Sequence, residues 1–202
     1  MKYITLILVL ITPSLGWATE TYTGPAKVID GDTISINGTI IELAFIDAPE
    51  LGQRCWEVYP NQFGKPKYKN PFDGGIVVKE KLQEILGDQN LTCHRVPILQ
   101  KQDIRSKERM RLKDRIFASC STIDGTNPSI ELAKLGLIYP YNGGRKSIYF
   151  GDTEPNGAKN YHQVSLMDSK AEREKIGFYN ETNRRDCEAP YGFRPKEDKL
   201  FQ

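Results

Sequence analysis

The stretch VIDGDTISINGTIIELAFIDAPE, residues 28–50, constrains the fold more than any other part of the chain. Residues 33–36 and 39–46 are rich in β-branched side chains and are joined by Asn37-Gly38, the pair best suited to the two positive φ angles of a type I′ turn. Such a turn sends the second strand back antiparallel to the first. Asp32 precedes the first strand and Asp47 ends the second, so pairing carries both carboxylates to one end of the sheet, and Glu50 follows close behind. Carboxylates held together repel each other unless a cation lies between them. Oxygen ligands with no His or Cys nearby favour a hard ion, Ca²⁺ or Mg²⁺, over zinc or copper. Either acidic segment alone would be read as ordinary turn punctuation. Both together, framing one hairpin, read as a site.

IDGDT at 29–33 followed by IDAPE at 46–50 resembles the signature of the staphylococcal nuclease (thermonuclease) family. The resemblance implies an α+β, mainly β fold, a five-stranded OB-fold barrel with about three packed α-helices, over residues 22–178. It implies hydrolysis of DNA and RNA phosphodiesters with Ca²⁺ as cofactor. Carried over position by position, it makes Asp32 and Asp47 metal ligands, the Ala48 carbonyl a further oxygen donor, and Glu50 the group that activates or orients the attacking water. Of the family's two arginines, one matches Arg115, which opens an apolar run ending in Cys120 before a turn at Asp124-Gly125. The other position, five residues before Asp47, holds Glu42. Glu42 keeps a second reading open, an OB-type module that binds nucleic acid or a protein partner without cutting. A third is a disulfide-stapled structural domain of an exported assembly.

Lys2, the apolar run 3–11, Pro13 and the small residues Gly16 and Ala18 read as a signal peptide over residues 1–18, cleaved before Thr19. The run is too short to span a bilayer. Residues 19–202 then form a single thermonuclease-like domain, long enough for a full hydrophobic core, with a tail over 179–202. Cleavage removes Lys2, so 28 basic residues become 27 against 26 acidic ones. A charge so near zero gives no global attraction to polyanions, and any binding of DNA or RNA has to be local. The expected product is a secreted or periplasmic monomer with no stable membrane association. Four cysteines in an exported chain suggest two disulfides, for which sequence alone permits three pairings. The barrel implied by the resemblance sets LTCHRV beside RIFASC, pairing Cys93 with Cys120 and leaving Cys55 for Cys187.

Residues 51–75 read as an irregular loop dense in Pro, Gly and aromatics, too long for a tight connection. Within it Arg54, Lys65, Lys67 and Lys69 interleave with Trp56, Tyr59, Phe63 and Tyr68, a mixture that meets a nucleic-acid strand by charge and stacking or packs the loop on itself. A helix is predicted over 76–86 with Ile76, Val77, Leu82, Ile85 and Leu86 near one face. A strand follows at 91–96. The segment 97–114 is the one clearly basic run, and its Arg109 and Arg111 are candidate phosphate contacts. A short helix over 129–137 starts at Asn127-Pro128, and Tyr141 in the loop that follows is a candidate for stacking on a base. The last helix, 164–176, is anchored by Leu166, Met167, Ala171 and Ile176. His94 and His162 are too few and too separate for zinc. A P-loop, a dinucleotide fingerprint, a Ser–His nucleophile motif and an internal repeat are all absent from the sequence.

Overall fold

Ile34 and Ile36 on β2 (Thr33–Ile36), with Ile41 and Leu43 on β3 (Thr39–Leu43), point to one side of their hairpin and are fully buried. Period-two burial of this kind suits a sheet that closes on itself. The computed structural model describes residues 20–60, 62–63, 65–96, 98–100, 116–141, 148–150, 157–179 and 187. The proposed leader 1–18, Arg109, Arg111 and Arg115 lie outside them, as does the tail beyond Tyr179 apart from Cys187.

In chain order the remaining elements are β1 (Thr21–Val28), β4 (Ile46–Asp47), β5 (Arg54–Pro60), β6 (Pro66–Asp73), α1 (Gly74–Leu86), β7 (Asn90–Arg95), β8 (Ile98–Gln100), β9 (Ile116–Thr122), α2 (Pro128–Lys134), β10 (Tyr139–Pro140), β11 (Ile148–Phe150) and α3 (Gly157–Glu174). Strands β1, β2, β3, β9 and β7 close a five-stranded barrel in that order. Its pairs are antiparallel except β3 with β9, where Ile41 lies beside Ile116 and Glu42 beside Phe117. With three α-helices beside it among the described residues, this is a mainly β, α+β domain built on an OB-like barrel. Val78, Leu82 and Leu86 of α1, Leu132 and Ala133 of α2 and Val164 of α3 join the barrel interior in one continuous core.

The turn at the hairpin tip has φ of 50° at Asn37 and 84° at Gly38, both in the left-handed region a type I′ turn requires. The second strand ends at Leu43, short of residue 46. Phe45 adopts φ 75° with its ring buried, and its carbonyl accepts the Tyr141 N–H at 2.8 Å. This break re-aims the chain so that Ile46 and Asp47 pair with Pro140 and Tyr139.

Residues 51–75 differ more from expectation. Strands β5 and β6 form an antiparallel two-stranded arm with a bulge between Cys55 and Glu57. Pro60, Pro66 and Pro71 are compatible with it because each strand of a two-stranded ribbon has an unpaired edge.

Helix α1 begins at Gly74, and Asp73 caps it by accepting the Ile76 N–H at 3.1 Å. It buries Gly74, Val78, Leu82 and Leu86, a stripe four residues apart, while Ile76 is 45% exposed. The glycines are buried because only they fit. A Cβ on Gly74 would lie 2.2 Å from Cys55 Sγ, and one on Gly75 would lie 2.3 Å from the Glu50 carbonyl oxygen. Helix α2 ends at Lys134, sooner than 137. Helix α3 starts at Gly157, ends at Glu174 before Ile176, and buries Val164, Asp168 and Ala171, leaving Leu166 outward. Asp168 is tolerated inside because the Tyr179 hydroxyl donates to it at 2.8 Å.

Both disulfides form as paired in the sequence reading. Cys93 faces Cys120 across β7 and β9, and Cys55 is bonded to Cys187. Two such bonds point to an oxidising environment, extracellular or periplasmic. No helix among the described residues is long and apolar enough to cross a membrane.

Candidate active site

Four acidic residues are gathered where the β1–β2 turn meets the end of β3 and the β4 segment. Gly31 makes the approach possible, because a Cβ there would lie 2.8 Å from the Ala48 Cβ and 2.9 Å from Val78 Cγ1. The Ile29 N–H donates to the Thr33 carbonyl at 2.9 Å, closing the turn, and the Leu43 N–H donates to the Asp32 carbonyl at 2.7 Å, fixing it against β3. Asp32 therefore reaches across to Ala48, whose N–H donates to Asp32 Oδ2 at 3.0 Å. The Thr33 hydroxyl donates to Asp32 Oδ1 at 3.1 Å. Asp30 accepts the Asp32 N–H at 3.3 Å, which holds a second carboxylate beside the first.

Burial pushes the Asp32 carboxyl well above the usual aspartate range, and the negative charge of Asp30 adds to that shift. The hydrogen bond from Ala48 opposes it, and the charges of Asp47 and Glu42 reinforce it. Burial disfavours the charged form and like charges disfavour it further. The fold thus disfavours the charged form of this carboxylate. Glu42, whose strand partners are Thr33 on β2 and Phe117 on β9, is part of that pressure.

Asp47 is half-buried on β4 opposite Tyr139, and Tyr141 follows two residues along the chain. Glu50 is exposed at the start of the next loop. Its backbone is tightly held. The Glu50 N–H donates to Gln53 Oε1 at 2.8 Å, the Gln53 N–H returns to the Glu50 carbonyl at 2.9 Å, and the Gly74 N–H donates to the Gln53 carbonyl at 2.9 Å. Asp73, already the cap of α1, accepts the Gly52 N–H at 2.8 Å. With Gly75 packed on the Glu50 carbonyl, the loop is bolted to the first turn of α1. The neighbouring Cys55–Cys187 bond and the Phe72–Phe178 stack, centroids 6.1 Å apart, brace the same corner.

Gln53 was not singled out in the sequence, and no pattern marks it. A buried amide that satisfies a neighbour's backbone has no periodicity and no motif. Of the sequence-derived candidates, the structure brings Asp32, Asp47 and Ala48 together, with Glu50 on the adjoining loop and Tyr141 beyond β10. Arg109, Arg111 and Arg115 lie outside the described residues, although Arg115 immediately precedes β9, the strand beside Glu42.

Among the described residues no group of three or more His, Cys, Asp or Glu side chains is arranged to hold a metal ion by itself. Carboxylate oxygens such as those of Asp32 and Asp47 would suit a hard cation with water completing its shell. A cation there would offset the burial and the neighbouring negative charges that disfavour an ionised Asp32. Neither a protein-family model nor a curated protein matches the chain.

Proposed function

We propose that the chain is an exported, Ca²⁺-dependent nuclease that hydrolyses phosphodiester bonds of DNA or RNA by attack of water. The observation that carries this reading is the pressure of Asp30, Asp47 and Glu42 on the buried carboxyl of Asp32, next to the Ala48 backbone. Asp32, Asp47 and the Ala48 carbonyl would hold the ion. When bound, Ca²⁺ supplies positive charge to a phosphate oxygen and to the charge that builds on phosphorus. Glu50 takes a proton from the attacking water as the new P–O bond forms and the ester P–O bond breaks. Solvent protonates the departing oxygen. Arg115 donates hydrogen bonds to the phosphate oxygens, and preorganised donors of this kind gain strength as transition-state charge grows. The two disulfides and the leader-like residues 1–18 support export.

The test is cleavage of plasmid DNA and of an RNA oligonucleotide by purified protein free of other nucleases. Expected is hydrolysis at millimolar Ca²⁺ that stops with EDTA. No cleavage of either substrate sinks the proposal. Glu42 supports a second reading, because a carboxylate stands where the family that the sequence resembles carries a guanidinium. A module that binds without cutting would hold nucleic acid equally well in EDTA and after Asp32→Ala.

Gln53 gives a narrower prediction. In Gln53→Met the shape is nearly kept but the acceptor for the Glu50 N–H is lost, and leaving such a donor unsatisfied costs about 1–3 kcal/mol of stability. A small displacement of Glu50 lowers kcat by about 10- to 100-fold, with KM little changed. Steady-state kinetics together with hydrogen exchange at the Glu50 amide check it. Wild-type kcat in the variant would show that the amide does not position Glu50.

A further inference from the structure

We infer that the β5–β6 arm is a binding surface for single-stranded nucleic acid, delivering an extended strand towards the Glu50 loop. Lys67 and Lys69 lie on β6 and Lys65 immediately before it, so the three share one face of the ribbon at steps of about 6.8 Å, twice the rise per strand residue. All three are exposed. Tyr59 is the register partner of Lys67, and Glu57 that of Lys69. Glu57 also accepts from Asn70 Nδ2 at 2.7 Å. Phe63, in the connection between the two strands, is 77% exposed.

Over the arm, residues 54–73, the basic side chains are Arg54, Lys65, Lys67 and Lys69, and the acidic ones are Glu57 and Asp73. Asp73 is engaged at the root in capping α1 and holding Gly52. The outer part of the arm is therefore basic in a chain whose total charge is near zero. A row of ammonium groups along an extended ribbon matches the successive phosphates of an extended strand, and an outward aromatic ring offers a platform for an unstacked base. A duplex keeps its bases stacked and would leave Phe63 unused. The arm's two ends meet the site directly, since β5 leaves from Gln53 and β6 returns into the cap of α1. That the bound strand is a substrate rests on the hydrolytic reading above, while the binding itself does not.

The experiment follows anisotropy of a labelled 20-mer of deoxythymidine against NaCl concentration, in EDTA, with the full-length mature protein. The variants are the triple Lys65→Gln/Lys67→Gln/Lys69→Gln and Phe63→Ala, each confirmed to melt as the wild type does. Single-strand binding loses about 0.7 in log–log salt slope for each phosphate contact removed, so the triple variant's slope is shallower by about 2. Phe63→Ala binds the 20-mer about tenfold more weakly, within the range for loss of one stacked base, and binds a duplex of equal length as the wild type does. No binding by the wild type, an unchanged slope in the triple variant, or undiminished single-strand binding by Phe63→Ala overturns the inference. No cleavage is measured here. A protein that binds in this way yet fails to cut at millimolar Ca²⁺ keeps the arm's role and loses the hydrolytic one.

Discussion

Asp32→Asn abolishes Ca²⁺-dependent cleavage and makes the metal-free protein more stable. The first effect follows from removing one of two carboxylates offered to the ion, and a rate loss of at least about 100-fold is expected when a main electrostatic contributor is lost. The second follows from the charge crowding. Asparagine keeps one oxygen for the Ala48 N–H, and its amide NH2 donates to the Thr33 hydroxyl once that hydroxyl turns to accept, but it carries no charge for Asp30, Asp47 and Glu42 to repel. Because the folded-state pKa of Asp32 is raised, this group's contribution to stability is fully present below the unfolded value, about 3.9. It is lost as pH rises through the folded value. In EDTA the wild-type melting temperature should therefore fall relative to Asp32→Asn as pH climbs from about 4 towards neutrality. Each kcal/mol of relieved repulsion corresponds to roughly 2–4 °C for a domain of this size. Adding Ca²⁺ at neutral pH should raise the wild-type melting temperature and leave the variant's unmoved. Paired melting curves across pH, with and without Ca²⁺, check all three effects. A variant that melts below the wild type in EDTA at neutral pH would mean that the carboxylate is favourably paired.

Glu50→Gln lowers kcat by about 100- to 10,000-fold, the range for loss of a positioned general base, and leaves KM and the Ca²⁺ requirement close to those of the wild type. Glutamine keeps the size of the side chain, and the hydrogen bonds from the backbone of residue 50 to Gln53 do not depend on its charge. A melting curve and hydrogen exchange at the residue 50 amide that match the wild type separate lost chemistry from a loosened loop. Single-turnover cleavage at saturating Ca²⁺ reads the chemical step directly. A rate within tenfold of wild type would assign the proton to another acceptor and reduce Glu50 to a bystander.

The hairpin was legible because its signals are local: Asn37-Gly38 supplies the turn and alternating Ile residues supply the buried face. The Cys93–Cys120 bond followed once those strands were placed side by side. The break after Leu43 was not legible, since the left-handed Phe45 answers to a carbonyl that Tyr141 needs, and that partner is almost a hundred residues away. The arm was hidden by its own composition, because its sequence has no apolar alternation and carries Pro60, Pro66 and Pro71. Helix α1 shows a different limit. Hydrophobic periodicity placed Ile76 and Val77 towards the core, whereas the helix turns its glycines inward to let Cys55 and the Glu50 carbonyl approach. Buried positions with no side chain are invisible to a method that counts apolar side chains. At the site, Asp32, Asp47 and Glu50 stood out by residue type and spacing, but Gln53 and the charge of Asp30 on Asp32 became visible only with coordinates.

The most direct test of the central claim, that the Asp32–Asp47 corner of the barrel exists to hold a hard divalent ion, is a crystal structure of the mature protein grown with Ca²⁺. The account predicts one ion bound by the Asp32 and Asp47 carboxylates and the Ala48 carbonyl, at oxygen distances of about 2.3–2.6 Å, with water filling the remaining positions. Well-ordered density showing a lysine or arginine nitrogen between the two carboxylates at millimolar Ca²⁺, and no ion, would contradict it.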